Sequence, residues 1–280
     1  MKFSMRQAIL AAAVGATLSA GSAFAAPAFT VNPNALLGGS LFSNFTADFI
    51  SGTSSELLVL DPLTQTASGS GWVQFTSFSN GSTVIGSGTS GLNFEFAPLS
   101  ITGYKLYLTF DLKDTYNAGN STGAFGAAGS SYDLTQLDFK VWLDTGYDTT
   151  FTNASVAGAI PVGATVSTGT ADILLGTGGL IAGTASFNSQ GGVGQNATAT
   201  FSLTNEGKQF FIAPSPFYTV AFDEFNNTTQ GLAIKDGYAA ITNASGGIDF
   251  NGKVPEPTTA SLIGMGLLGL GALSRKRKAS

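Results

Sequence analysis

The chain contains no cysteine and no histidine. Without thiols there is no disulfide framework and no thiolate nucleophile, and without imidazole there is neither histidine acid–base chemistry nor a zinc site of the usual kind. Charge is scarce too: Asp, Glu, Lys and Arg make up 10% of the 280 residues, against roughly 25% in an ordinary globular protein. Arginine is missing between Arg6 and Arg275, and residues 26–254 carry six Lys against 16 acids. No basic face is available to neutralise phosphates, so nucleic acid is not an expected partner.

What remains is 43% hydrophobic, with 37 Gly and 22 Phe, enough apolar material to bury a core. Solubility falls to Ser, Thr and Asn. An acidic body without Arg suits an exterior protein and can attract divalent cations.

The two ends read as addresses. Met1-Lys2-Phe3-Ser4-Met5-Arg6 is followed by an apolar run from Ala8 to Ala20 and by small residues in the A-x-A arrangement at Ala23 and Ala25. This order predicts a signal peptide over 1–25, read by the Sec export machinery and cut by signal peptidase after Ala25. At the other end, Val254-Pro255-Glu256-Pro257 precedes an apolar, Gly-rich stretch from Thr258 to Leu273, then Ser274 and the basic cluster Arg275, Lys276, Arg277 and Lys278. A helix over 258–273 would span roughly 24 Å, somewhat short of a bilayer core of about 30 Å. The basic tail keeps to the cytoplasmic side, and the two prolines hold Glu256 in extended chain at the outer interface, within reach of a membrane protease. A plain membrane anchor predicts the same topology and differs only in whether the tail is removed. Gly264-Met265-Gly266-Leu267-Leu268-Gly269 matches a dinucleotide-binding pattern in letters, but no strand leads into it and the chain ends before an acidic partner could follow.

Between the ends, several stretches alternate with period two, the mark of strands with one buried face. Leu92, Phe94 and Phe96 oppose Asn93 and Glu95; Tyr104, Leu106, Leu108 and Phe110 oppose Lys105, Tyr107, Thr109 and Asp111. Leu137, Phe139, Val141 and Leu143 oppose Asp138, Lys140, Trp142 and Asp144; Ala197, Ala199, Phe201 and Leu203 oppose Thr198, Thr200, Ser202 and Thr204. Shorter candidates are Leu57–Leu60, Trp72–Phe78, Gly183–Phe187, Phe217–Phe222, Tyr238–Ile241 and Ile248–Phe250. Asn80-Gly81, Asp236-Gly237, Asn251-Gly252 and the pairs Gly38-Gly39, Gly178-Gly179 and Gly191-Gly192 read as turns. The expected class is all-β, an antiparallel sandwich, jelly roll or related barrel over 26–252, flanked by the signal peptide and a single C-terminal transmembrane helix. A two-domain split near Asn117–Ser131 is the alternative.

The body marks out no catalytic constellation. Asp133, Asp138, Asp144 and Asp148 fall close together, but their spacing does not match a calcium loop, and Asp138 and Asp144 are expected on the solvent face, as solvated acids. Glycoside hydrolysis needs only two carboxylates, yet Glu95, Asp111, Asp223 and Glu224 form no evident pair. Trp72, Trp142, Tyr107, Tyr116, Tyr132 and Tyr147 could stack on sugar rings if exposed; the alternative is that they fill the core.

The carboxyl end resembles the PEP-CTERM sorting signal of Gram-negative bacteria, which joins Pro-Glu-Pro, one short apolar helix and a basic cluster over residues 253–280. The resemblance implies an inner-membrane intermediate, processing by an exosortase near Pro255-Glu256-Pro257, and delivery to the cell surface or extracellular matrix. Phe29-Thr30-Val31-Asn32-Pro33, Phe45-Thr46-Ala47-Asp48-Phe49-Ile50 and Phe210-Phe211-Ile212-Ala213-Pro214-Ser215-Pro216-Phe217-Tyr218 resemble PEP-CTERM proteins associated with floc formation. That likeness implies a role in holding cells within a secreted polysaccharide matrix. With no catalytic constellation marked out in the body, the expectation is a non-enzymatic surface or matrix protein, without cofactor or metal, supporting cell aggregation or biofilm structure through exopolysaccharide association. A secreted polysaccharide-active hydrolase and a calcium-dependent adhesin are the alternatives.

Overall fold

The computed structural model describes residues 27–169, 172–190, 192–227 and 231–251. Its frame is eight long strands: β1 (Phe49–Asp61), β2 (Thr66–Asn80), β3 (Lys105–Tyr116), β4 (Ser131–Asp144), β5 (Asp172–Phe187), β6 (Val193–Thr200), β7 (Val220–Asn227) and β8 (Tyr238–Asn251). Each pairs antiparallel with the next in sequence, and β8 returns to pair with β1 along Tyr238–Ile248. The all-β chain is thus a closed up-and-down barrel. Closure pairs both edges of every wall strand, which an open sheet cannot do.

Alternation then sets the two surfaces. Leu106, Leu108, Phe110 and Leu112 of β3 and Leu134, Leu137, Phe139, Val141 and Leu143 of β4 are buried in one continuous core. Asp111 and Lys113, with Thr135, Gln136, Asp138 and Lys140, are exposed outside. An interior row joins Leu60, Ala67, Asp114 and Leu134 across four strands; another joins Glu56, Gly71, Phe110 and Phe139.

One barrel end is stopped by aromatics. Phe29–Val31 pairs with both Phe45–Ala47 and Phe211–Ala213, making a small sheet across the opening. There Phe29 meets Phe250 edge-on at 5.3 Å and Phe211 at 5.9 Å, a favoured geometry for ring quadrupoles. Helix α1 (Asn205–Phe210) closes the same end; the hydroxyl of its N-cap Thr204 accepts the Gly207 N–H at 2.9 Å.

The other end is crossed by residues 117–130. Gly129 N–H donates to the Phe187 carbonyl at 2.6 Å, Gly126 N–H to the Tyr132 hydroxyl at 2.9 Å, and the Tyr116 hydroxyl to the Gly123 carbonyl at 2.6 Å. This Gly/Ser-rich stretch therefore links neighbouring wall strands and is not a domain boundary.

Several local expectations are corrected. Leu92–Phe96 is not one strand: Leu92 makes an isolated bridge to Tyr104, Asn93 has a left-handed φ of +52°, Glu95–Phe96 alone forms a short strand, and Phe96 is 45% exposed. Gly178-Gly179 lies inside β5 rather than at a turn. Ala197–Thr204 breaks after Thr200, and Ser202–Leu203 pairs separately with Gly176–Thr177 of β5. Phe217 precedes β7 and joins the aromatic plug. Tyr238–Ile241 and Ile248–Phe250 are one strand, kept continuous by a bulge at Asn243, whose φ is +55°. Asp236-Gly237 is the expected tight turn, both residues at positive φ between the paired Lys235 and Tyr238.

Ala23 and Ala25 of the expected signal peptide, Pro255-Glu256-Pro257, the expected helix over 258–273 and the Arg275–Lys278 cluster lie outside the described residues. Among the described residues no helix is long and apolar enough to cross a membrane.

Candidate functional site

The barrel interior is nearly filled. A cavity of about 50 Å³ remains among Leu58, Val73, Leu108, Phe110 and Phe139, with Glu56 and Asp114 in its lining. Since benzene occupies a cavity of about 150 Å³, this space admits a few waters and no sugar ring. Asp114 is 3% exposed, and its Oδ1 has no hydrogen-bond partner. Burial alone pushes its carboxyl up to about 7, because the charged form loses its hydration. Glu56 lies two interior rows away, about 13 Å along the strand at ~3.3 Å per residue; the two carboxylates are not a facing pair.

A larger depression lies outside. Thr109 and Asp111 of β3, Asp138 and Lys140 of β4, Thr177, Gly178 and Gly179 of β5, Thr200 and Ser202 line a trough of about 420 Å³. Two cross-strand rows build it. One runs Asp111, Asp138, Gly179 in register and ends on Thr200, whose hydroxyl accepts the Gly179 N–H at 3.1 Å. The other runs Thr109, Lys140, Thr177, Ser202. Gly179 makes the gap: a Cβ there would point outward, no nearer than 3.5 Å to Asp138 Oδ1. Gly178 faces inward, where a Cβ would lie 2.1 Å from the Thr200 carbonyl and 2.2 Å from the Phe139 ring.

Just beyond the second row stands Trp142, half-buried and stacked on Tyr107 at 6.4 Å and 15°. Its indole N–H donates to Thr109 Oγ1 at 3.2 Å. The other aromatic candidates divide differently. Trp72, Tyr107 and Tyr132 are buried and unavailable to a sugar, while Tyr116 and Tyr147 are half-buried. Burial and a hydrogen bond to the Asp172 carboxylate at 2.9 Å push the Tyr107 hydroxyl far above its usual range.

The acidic run also departs from expectation. Asp144 is fully buried at the end of β4, where it accepts the Thr149 N–H at 2.8 Å. Its side chain is covered by the turn that leads to the outer hairpin, which strand alternation could not reveal. Asp133, Asp138 and Asp148 are exposed, Asp133 accepting from the Asn117 amide. Among the described residues no group of three or more acids is placed to hold a metal ion.

Sequence reasoning missed Asp114, Gly179 and Thr200. Extending the Leu106–Phe110 alternation through Leu112 places Asp114 inside, so that signal was available. The role of Gly179 was not, because a glycine pair reads as a turn unless the strand's partners are known.

The sequence profile of the PEP-CTERM protein-sorting motif matches residues 253–278. No curated protein and no solved structure matches the chain. The profile falls on the Pro-Glu-Pro, apolar and basic segments already identified by their order. The chain carries a PEP-CTERM sorting motif and is an exported protein, processed by an exosortase on a route through a membrane-anchored intermediate to the cell surface.

Proposed function

We propose that the protein is a non-enzymatic component of the cell surface or extracellular matrix, supporting cell aggregation or biofilm structure through association with exopolysaccharide. The sorting motif at residues 253–278 is the observation that carries this reading. It is supported by a folded body whose outer wall offers hydroxyls, carboxylates and amides, and whose interior has no room for a substrate. In this scheme the Sec machinery exports the chain, signal peptidase cuts after Ala25, and the exosortase acts near Pro255-Glu256-Pro257 while Arg275, Lys276, Arg277 and Lys278 hold the tail in the cytoplasm.

The deciding measurement joins the intact mass of the exported protein to its location. The expected product lacks residues 1–25 and the segment from about Thr258 onward, and it co-fractionates with the cell surface or matrix polysaccharide. Deleting the chain from Val254 onward should abolish that attachment and reduce aggregation without unfolding the barrel. Attachment that survives the deletion, or release of new reducing ends from the polysaccharide by purified protein, overturns the proposal.

A further inference from the structure

We propose that the outer trough between β3, β4, β5 and Thr200–Ser202 is a binding subsite for an amine-bearing glycan, a chain of glucosamine-type sugars. This assignment deepens the matrix reading above and rests on it.

The trough is a break in an otherwise regular wall. On a barrel exterior each strand should raise an outward side chain in every row; where Gly179 raises none, the space between Asp138 and Thr200 stays open. Its volume of about 420 Å³ falls within the roughly 300–1,000 Å³ of small-ligand sites. Its walls alternate in chemistry. Asp111 and Asp138 only accept, Asp138 already taking one bond from the Gln136 amide at 2.8 Å, and Lys140 only donates; Thr177 and Ser202 do both, Thr109 keeps its own O–H to donate, and the Thr200 hydroxyl is held by the Gly179 backbone. The two rows stand two residues apart, so polar partners recur along the strand about every 6.7 Å, an arrangement suited to a repeating polyhydroxylated chain.

Charge selects among such chains. Asp111 and Asp138 are directly opposite each other and both exposed, a like-charge pairing that weakens a sheet unless something positive lies between. Lys140 is the only cation in the trough lining and belongs to the neighbouring row, opposite Thr109. An ammonium group between the two carboxylates would relieve that repulsion, whereas a uronate would add to it. Trp142, fixed by Tyr107 and Thr109, supplies an apolar face at the end of the site for the C–H side of a sugar ring.

The test uses the exported, processed protein and calorimetric titration with fully deacetylated glucosamine oligomers, their N-acetylated counterparts and oligogalacturonate. Saturable binding is expected for the first, at least tenfold weaker binding for the second and none for the third. Asp111→Asn with Asp138→Asn should weaken glucosamine binding at least tenfold. Gly179→Leu, which fills the trough without changing charge, should abolish it, while Asp236→Asn on a distant turn should leave it unchanged. Melting curves check each variant; should Gly179→Leu fail to fold, the double Asn variant decides. Absence of saturable binding, or equal binding by all variants, overturns the site. If the unmodified protein fails to bind yet remains with the matrix in cells, the site is wrong and the matrix role survives; if attachment is lost as well, both fall.

Discussion

The indole N–H of Trp72 donates to the backbone carbonyl of Thr152 at 2.9 Å. This bond fastens the hairpin formed by Thr150–Thr152 and Thr165–Ser167 to the outside of the barrel wall. Trp72 is 5% exposed, lies 5.0 Å from the Phe151 ring and packs with Ala154, Val156, Ala164 and Ala240 in a second small core. Ser55 reinforces it from the next strand, donating to the Ile241 carbonyl and accepting the Ala154 N–H at 2.9 Å. An outward-facing row thereby becomes buried.

Trp72→Ala should reduce stability by about 3–5 kcal/mol, because a large buried ring is lost and a cavity remains. Trp72→Phe keeps most of the apolar contact, loses the hydrogen bond and should lose only about 1–2 kcal/mol. Urea unfolding gives both values. Limited proteolysis of the Ala variant should cut first between residues 154 and 162, and an unchanged cleavage pattern would show that the hairpin holds without Trp72.

Asp114 should make the barrel less stable as pH rises. Its folded carboxyl titrates at about 7 rather than 3.8, so the folded state binds its proton more tightly than the unfolded chain does. That contribution is fully present below about pH 4 and is lost as pH rises through 7, a change on the order of 4 kcal/mol. The titratable Tyr132 hydroxyl and the Glu56 carboxyl border the same cavity, so Glu56 stays unchanged in the test. Asp114→Asn should remove most of the decline between pH 4 and 8, read from melting temperature. A parallel decline in the variant would assign it to other groups, among them Asp249, whose carboxyl is raised by burial and by Asp48.

Gly178 and Gly179 should respond oppositely to the same change. Gly178→Ala forces a methyl against backbone 2.1 Å away and should destabilise the barrel by several kcal/mol. Gly179→Ala meets nothing nearer than 3.5 Å and should lie within about 0.5 kcal/mol of the unchanged protein. Similar melting temperatures for the two variants would overturn this difference between the faces of β5, and the opposite order would mean that the inward and outward faces are reversed.

Calcium should leave the melting temperature where it is. Asp144 is buried against Thr149, Asp133 is engaged by Asn117, and Asp138 points into the trough. A rise with millimolar calcium that chelator reverses would restore the calcium-dependent adhesin, since only a ligand of the folded state stabilises it in that manner.

The sorting motif at the carboxyl end was legible in the sequence because it is read locally, as a linear order of proline, apolar length and charge. The core faces of β3 and β4 were legible for a related reason: alternation is a property of consecutive residues. Strand lengths were not. Phe49–Ser55 and Asp172–Gly179 are built largely of Ser, Thr and Gly or of mixed faces, and a period in hydrophobicity is faint where few residues are apolar. Burial of Trp72, Tyr107 and Asp144 was invisible too, because the covering residues arrive from segments far along the chain or around a turn. Closure of the barrel, the trough at Gly179 and the isolation of Asp114 depend on which strand lies beside which. That adjacency follows from burying many faces at once, and no single stretch of sequence contains it.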